Sequence, residues 1–165
     1  MNTPLICSFK PIKISKGLDD NEIIDIKAGG EFSVVVSRSR LSDSFEVHTF
    51  GCNLKGQLGI GEIRHVRNVT KVEALSNFTL KRNGKQEKVQ VKQLACGNTH
   101  CIALLNIGYI MEWGDNEHGQ MGNKKRSPAY SPIIVREFSE KDILGVFAGH
   151  NASGVILREE PPKKA

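Results

Sequence analysis

No run of this sequence approaches the roughly 18 consecutive apolar residues of a membrane-crossing helix, so no membrane span is expected. Aromatic residues make up only 6% of the chain, with a single Trp. They do not interleave with basic residues, which argues against a stacking platform for nucleic acid. The five histidines (His48, His65, His100, His118, His150) show no His-x-x-x-His or Glu-x-x-His spacing, so no metal centre is expected. No Ser or Cys sits in a nucleophile elbow. The glycine-rich stretches lack Gly-Lys-Ser/Thr and a following helix, which excludes a phosphate loop. These absences argue for a chain that is not an enzyme and needs no cofactor.

The four cysteines, Cys7, Cys52, Cys96 and Cys101, have no zinc-like spacing. Cys96 is read as a small buried residue; a metal or redox role with Cys101 and His100 is the alternative. The start carries no secretory signal, so an intracellular, reducing compartment is expected. The triplets at Asn68, Asn77 and Asn151 are then unused as glycosylation sites.

What is present is ordinary in amount and unusual in order. Of 165 residues, 25% are charged and 39% apolar, the balance of a globular chain. The net charge of +5 allows an acidic partner without requiring nucleic acid. Three glycines fall within Trp113–Gly122, W-G-D-N-E-H-G-Q-M-G, after the apolar run Tyr109–Met111. This reads as a buried strand entering a tight turn. The pattern occurs twice. Gly51, Asn53, Gly56, Gln57 and Gly59 match Gly114, Asn116, Gly119, Gln120 and Gly122, with Leu58 against Met121. Self-similarity at this period points to a repeat architecture.

A companion turn precedes each copy, Ala28-Gly29-Gly30 and Ala95-Cys96-Gly97, and returns as Ala148-Gly149-His150. Aligned residue by residue, Cys96 takes the place of Gly29 and Gly149, and His150 replaces a Gly. Together these features resemble the regulator of chromosome condensation repeat family, over roughly residues 23–158. The resemblance implies an all-β fold, a partial β-propeller of four-stranded antiparallel blades. Phe50 stands where the second copy has Trp113, and no third G-x-N-x-x-G-Q-L-G follows Leu157.

Taken in order, residues 1–22 are a remnant of a preceding blade, with Phe9–Ile14 as its last strand, or a targeting segment. Residues 23–75 form a first full blade of strands Ile23–Ala28, Phe32–Arg38, Glu46–Cys52 and Thr70–Leu75. Residues 76–88 are an inserted hairpin, signalled by Asn83-Gly84. Residues 89–140 form a second full blade of strands Val89–Ala95, His100–Leu105, Tyr109–Trp113 and Ser131–Val135. Residues 141–158 are part of a third blade, and 159–165 a disordered tail.

The motif residues read as architectural, the glycines supplying positive φ and the side chains of Asn53, Asn116, Gln57 and Gln120 bonding backbone. Two basic clusters are candidates for partner binding: Lys81, Arg82, Lys85 and Lys88 in the insertion, and Lys124, Lys125 and Arg126 before Ser127-Pro128. Each has a bland alternative, a solvated hairpin tip for the first and a loop opening an edge strand for the second. Two functions from different classes follow. One is a non-catalytic scaffold that binds a protein through propeller loops. The other, implied by the family, is guanine-nucleotide exchange on a small GTPase. Chromatin or nucleic-acid binding is a weaker third. A long insertion before the second turn resembles fungal mitochondrial members, which points to assembly of a mitochondrial complex. Self-association or completion by further blades is expected, because a lone blade cannot bury both faces.

Overall fold

The computed structural model describes residues 13–14, 17–76, 78–82, 84–139 and 141–159, leaving aside the side chains of residues 80–82 and 85. Most of the expected strand Phe9–Ile14, the turn residue Asn83 and the tail from residue 160 lie outside the described residues.

The first sheet holds β1 (Asn21–Ala28), β2 (Phe32–Ser39), β3 (Phe45–Gly51) and β4 (Val66–Lys71), ordered as in the chain and antiparallel throughout. The second holds β7 (Val91–Cys96), β8 (His100–Leu105), β9 (Ile110–Gly114) and β10 (Ala129–Val135), with the same order and sense. Between them β5 (Thr79–Arg82) and β6 (Lys85–Lys88) pair as a separate hairpin. A two-stranded sheet, β11 (Ile143–Gly149) and β12 (Ala152–Leu157), comes last. Apart from two short 3-10 turns, Glu73–Leu75 and Arg136–Phe138, every element among the described residues is a strand.

The fourth strand of the first blade departs from the sequence reading. It occupies Val66–Lys71, not Thr70–Leu75, because Gly51 pairs with Val66 immediately after the motif loop. The apolar residues Val72 and Leu75, which suggested a strand, are buried around the 3-10 turn that leaves the blade.

Strand β8 shows how the blades stack. All six of its residues are buried, yet alternate side chains enter different cores, as the two-residue period of a strand requires. Cys101, Ala103 and Leu105 join Val34, Val36, Val47, Leu58 and Trp113 in a first seam against the first blade. Ile102 and Leu104 join Ile110, Val135, Ile143 and Val146 in a second seam against β11–β12. Among the described residues the outer faces have no such cover. Ile23, Ile24 and Ile26 are exposed at one end, and Leu144, Phe147 and Ile156 at the other.

Trp113 is fully buried at the centre of the first seam and donates its indole N–H to the Gln57 carbonyl at 3.0 Å. Replacing a buried Trp with Ala costs about 3–5 kcal/mol. Trp113→Ala is therefore expected to remove most of the stability of the two-blade unit, read as a large fall in melting temperature. A shift of only a degree or two would show that the seam is not held there.

Candidate functional site

Each motif loop is closed by the same hydrogen bonds. The Asn53 side-chain oxygen accepts from Leu58 N–H at 2.9 Å, and Asn116 accepts from Met121 N–H at 3.0 Å. Each amide nitrogen turns outward to the rest of its loop, Asn53 to the Glu62 carbonyl and Asn116 to the Lys125 carbonyl. Gln57 accepts from Lys55 N–H at 2.8 Å, as Gln120 does from His118 N–H at 2.9 Å. All six motif glycines have positive φ, Gly56 at +76° and Gly119 at +79° among them, which any side chain would strain.

The loops differ in what they touch. A Cβ on Gly59 would lie 2.8 Å from the Trp113 ring, and one on Gly56 would lie 2.5 Å from the Tyr130 ring. At Gly119 and Gly122 a Cβ would meet nothing within 4 Å. The first loop is thus clamped on the second blade, while the second loop has an open face.

The second small turn aligns one residue away from the sequence reading, while the first and third keep their alignment. Gly29 N–H bonds the Phe32 carbonyl and Gly97 N–H bonds the His100 carbonyl, both at 2.9 Å. Cys96 therefore stands with Ala28 and Ala148, not with Gly29 and Gly149. The ladder agrees, pairing Ala28 with Ser33, Cys96 with Cys101 and Ala148 with Ser153. Gly29 and Gly97 are forced by proximity, since a Cβ would fall 1.9 Å from the Phe32 ring at the first and 2.2 Å from the His100 ring at the second. His150 stands with Gly30 and Asn98, and the glycine common to all three turns is Gly29, Gly97 and Gly149. Gly30 N–H donates to the Asn98 carbonyl at 3.1 Å, and Asn98 N–H donates to the His150 carbonyl at 2.9 Å. One backbone bond thus links each blade to the next at the same place.

Two four-stranded sheets and a half-sheet, joined by a repeated loop bond, match what comparison with known proteins finds. The profile of the Regulator of chromosome condensation (RCC1) repeat matches residues 46–104 and 109–156. The chain belongs to the regulator of chromosome condensation repeat family. It is 26% identical to the Ultraviolet-B receptor UVR8 of Arabidopsis thaliana, over 90% of this chain and 30% of that protein. It is 30% identical to the human E3 ubiquitin-protein ligase HERC2, over 82% of this chain and 2% of that one. Among solved structures it resembles Prp20p of Saccharomyces cerevisiae, described with its binding to Gsp1p and histones. The TM-score is 0.64 at 21% identity, over 86% of this chain and 33% of that one. The chain therefore spans a third or less of these relatives, and its sheets are blades of a partial β-propeller.

The two basic clusters do not converge. Lys124, Lys125 and Arg126 are exposed in the β9–β10 loop, at the end of the blades that carries the motifs and the small turns. The inserted hairpin leaves from the opposite end, where the β2–β3 and β8–β9 hairpins lie. Lys88 is exposed there, while the side chains of Lys81, Arg82 and Lys85 are outside the described ones. Beside the hairpin is a groove of about 280 Å³ lined by Arg38, Asp43, Phe45, Phe78 and Lys88. Arg38 stacks over the Phe45 ring at 4.9 Å. The motif end has a cleft between blades, of about 490 Å³, lined by Gly30, Leu54, Lys55, Gln57 and Thr99. An exposed ion pair, Lys55 to Glu117, joins the two motif loops nearby.

Among the described residues no group of His, Cys, Asp and Glu could hold a metal. Cys96 and Cys101 are free thiols 3.5 Å apart, and burial pushes the Cys101 thiol well up, away from reactivity. His100 points away from Cys101 into the second seam, where its Nε2 meets the Ser153 hydroxyl at 3.1 Å. Burial lowers its pKa, so the ring is neutral. On the first blade, burial pushes the Glu46 carboxyl up. Hydrogen bonds from Lys71 and Asn21 outweigh this and hold it below the usual range.

A buried acid in the second seam is a feature that the sequence reading missed. Burial pushes the Glu112 carboxyl from 4.5 up to about 8, against a hydrogen bond with Ser153, and the charge of Glu137 adds to the rise. In the folded chain it stays protonated where the unfolded chain ionises. The resulting loss of stability grows as pH rises from 4.5 to about 8 and is level above. Glu112→Gln should therefore gain on the parent more at pH 8 than at pH 5. Thermal melts with the same separation at both pH values would contradict the buried-acid assignment.

Proposed function

We propose that this chain is a non-catalytic protein-binding scaffold whose inserted hairpin and adjoining groove take an acidic segment of a partner. The observation that carries this reading is the groove itself. A hairpin with no counterpart in the second blade packs beside Arg38, Phe45 and Phe78, making an apolar floor with Arg38 and Lys88 at its walls and one acid, Asp43, beside Arg38. A guanidinium and ammonium rim suits carboxylates; Arg38, stacked on Phe45, already faces the exposed Asp43 carboxylate at 3.7 Å, which a partner's acid would replace. The protein relatives support an interaction role in kind; the acidic partner is this reading's own. Assembly of a mitochondrial complex is its most specific form.

A second reading is nucleotide exchange on a small GTPase, favoured by the likeness to Prp20p, which is described with Gsp1p. The surfaces separate the two. Reversing charge at Lys81, Arg82 and Lys85 together should abolish capture of the partner from native extract, with the melt unchanged. Reversal at Lys124, Lys125 and Arg126 should leave capture intact. Capture lost only with the second set would move binding to the motif end. Acceleration of fluorescent-nucleotide release by the chain alone would replace the scaffold with exchange.

A further inference from the structure

Cys96 and Cys101 face each other across the β7–β8 ladder, with their sulfurs 3.5 Å apart. One step nearer the turn, Gly97 N–H bonds the His100 carbonyl at 2.9 Å. Hydrogen-bonded and open pairs alternate along an antiparallel ladder, so Cys96 and Cys101 form an open pair. Cα atoms at such a pair lie about 4.5 Å apart, within the span that a disulfide bridges. The turn does not need sulfur for its shape. The same ladder position holds Ala28 and Ser33 in the first blade, and Ala148 and Ser153 in the half-sheet.

The two thiols differ in access. Cys96 is half-buried, while Cys101 is fully buried. On its other side Cys101 pairs with Trp113 of β9. Its S–H donates to the Gln57 carbonyl at 3.8 Å, the same oxygen that receives the Trp113 indole at 3.0 Å. One thiol of the pair is thus open to a small reagent, and the other enters the first seam.

We propose that Cys96 and Cys101 are a dithiol modification site, independent of the scaffold reading, which a small disulfide of the glutathione type oxidises to an intrachain bridge. The Cys96 thiolate attacks the S–S bond of the oxidant, forms a mixed disulfide and expels one thiolate. The Cys101 sulfur, giving up its proton to solvent, then attacks Cys96 and expels the second. The chain loses two S–H bonds, and the oxidant is reduced to two thiols. Burial holds the Cys101 proton, so Cys101 does not start the reaction and the second step is the slow one. The bridge withdraws the Cys101 S–H from Gln57, which leaves Trp113 as the donor to that carbonyl. Oxidation at a half-exposed turn is thereby felt in the joint between the blades.

The test incubates the full chain with oxidised glutathione, blocks the remaining thiols with iodoacetamide and digests with trypsin. Both cysteines fall in one tryptic peptide, residues 93–124. That peptide should take up no alkyl group and be lighter by two hydrogens, a change that dithiothreitol reverses. Fluorescence of Trp113, the single Trp of the chain, should fall and recover in step, because a disulfide beside an indole quenches it. Cys96→Ala, which supplies the residue found in the other two turns, should abolish both changes. Cys52→Ser should alter neither. A cooperatively melting chain that keeps both thiols free would overturn the proposal. So would a reaction that stops at a glutathione adduct on Cys96, or a disulfide that joins two chains instead.

Discussion

The arrangement depends on one contact, the seating of a glycine-shaped loop on the third strand of the next blade. Gln57 presents a carbonyl that no strand pairs, and the Trp113 indole, with the Cys101 thiol beside it, completes its bonding. Gly59 permits this approach because even one carbon there would collide with the indole. Asn53 holds the loop in shape from within, through bonds that involve no residue of the neighbouring blade. Motif and Trp are thus two halves of a joint. A blade alone has the loop without the ring, which is why such sheets are stable only in series.

The second joint is built to a different recipe. Where the first seam has Phe32, Thr49 and Cys101, the second has His100, Glu112 and Ser153, a polar trio in an otherwise apolar layer. A buried carboxyl that keeps its proton to about 8 makes this joint sensitive to pH. His100 Nδ1 and Glu112 Oε2 lack a hydrogen-bond partner among the described residues, and unpaired buried groups commonly cost about 1–3 kcal/mol each. The second seam is for that reason the weaker of the two.

Much of this was legible in the sequence. The doubled motif carries the repeat because Gly, Asn and Gln are each dictated by local backbone, which one loop can reveal without its neighbours. The strands β2, β8 and β11 were legible from their apolar runs. The turn register was not, because Ala-Gly-Gly, Ala-Cys-Gly and Ala-Gly-His align equally well at two offsets. Only the ladder, pairing Cys96 with Cys101, decides between them. The fourth strand was misplaced because Arg67, Asn68 and Thr70 lack an apolar face, while Val72 and Leu75, which have one, turn out of the blade. The basic residues were visible as clusters, but their placement at opposite ends follows from strand direction. Glu112 gave no signal, since a lone acid in an apolar strand looks the same whether its neighbour is solvent or another sheet.

The claim that the first seam is closed and the second open is tested most directly by native-state hydrogen exchange at two equivalent amides. Leu58 N–H and Met121 N–H make the same bond to the same asparagine oxygen, at 2.9 and 3.0 Å. Among the described residues a following blade clamps the first loop, at Gly56 and Gly59, and not the second. Leu58 should exchange near the global unfolding limit, and Met121 markedly faster by local opening. Equal protection at the two amides would contradict the account.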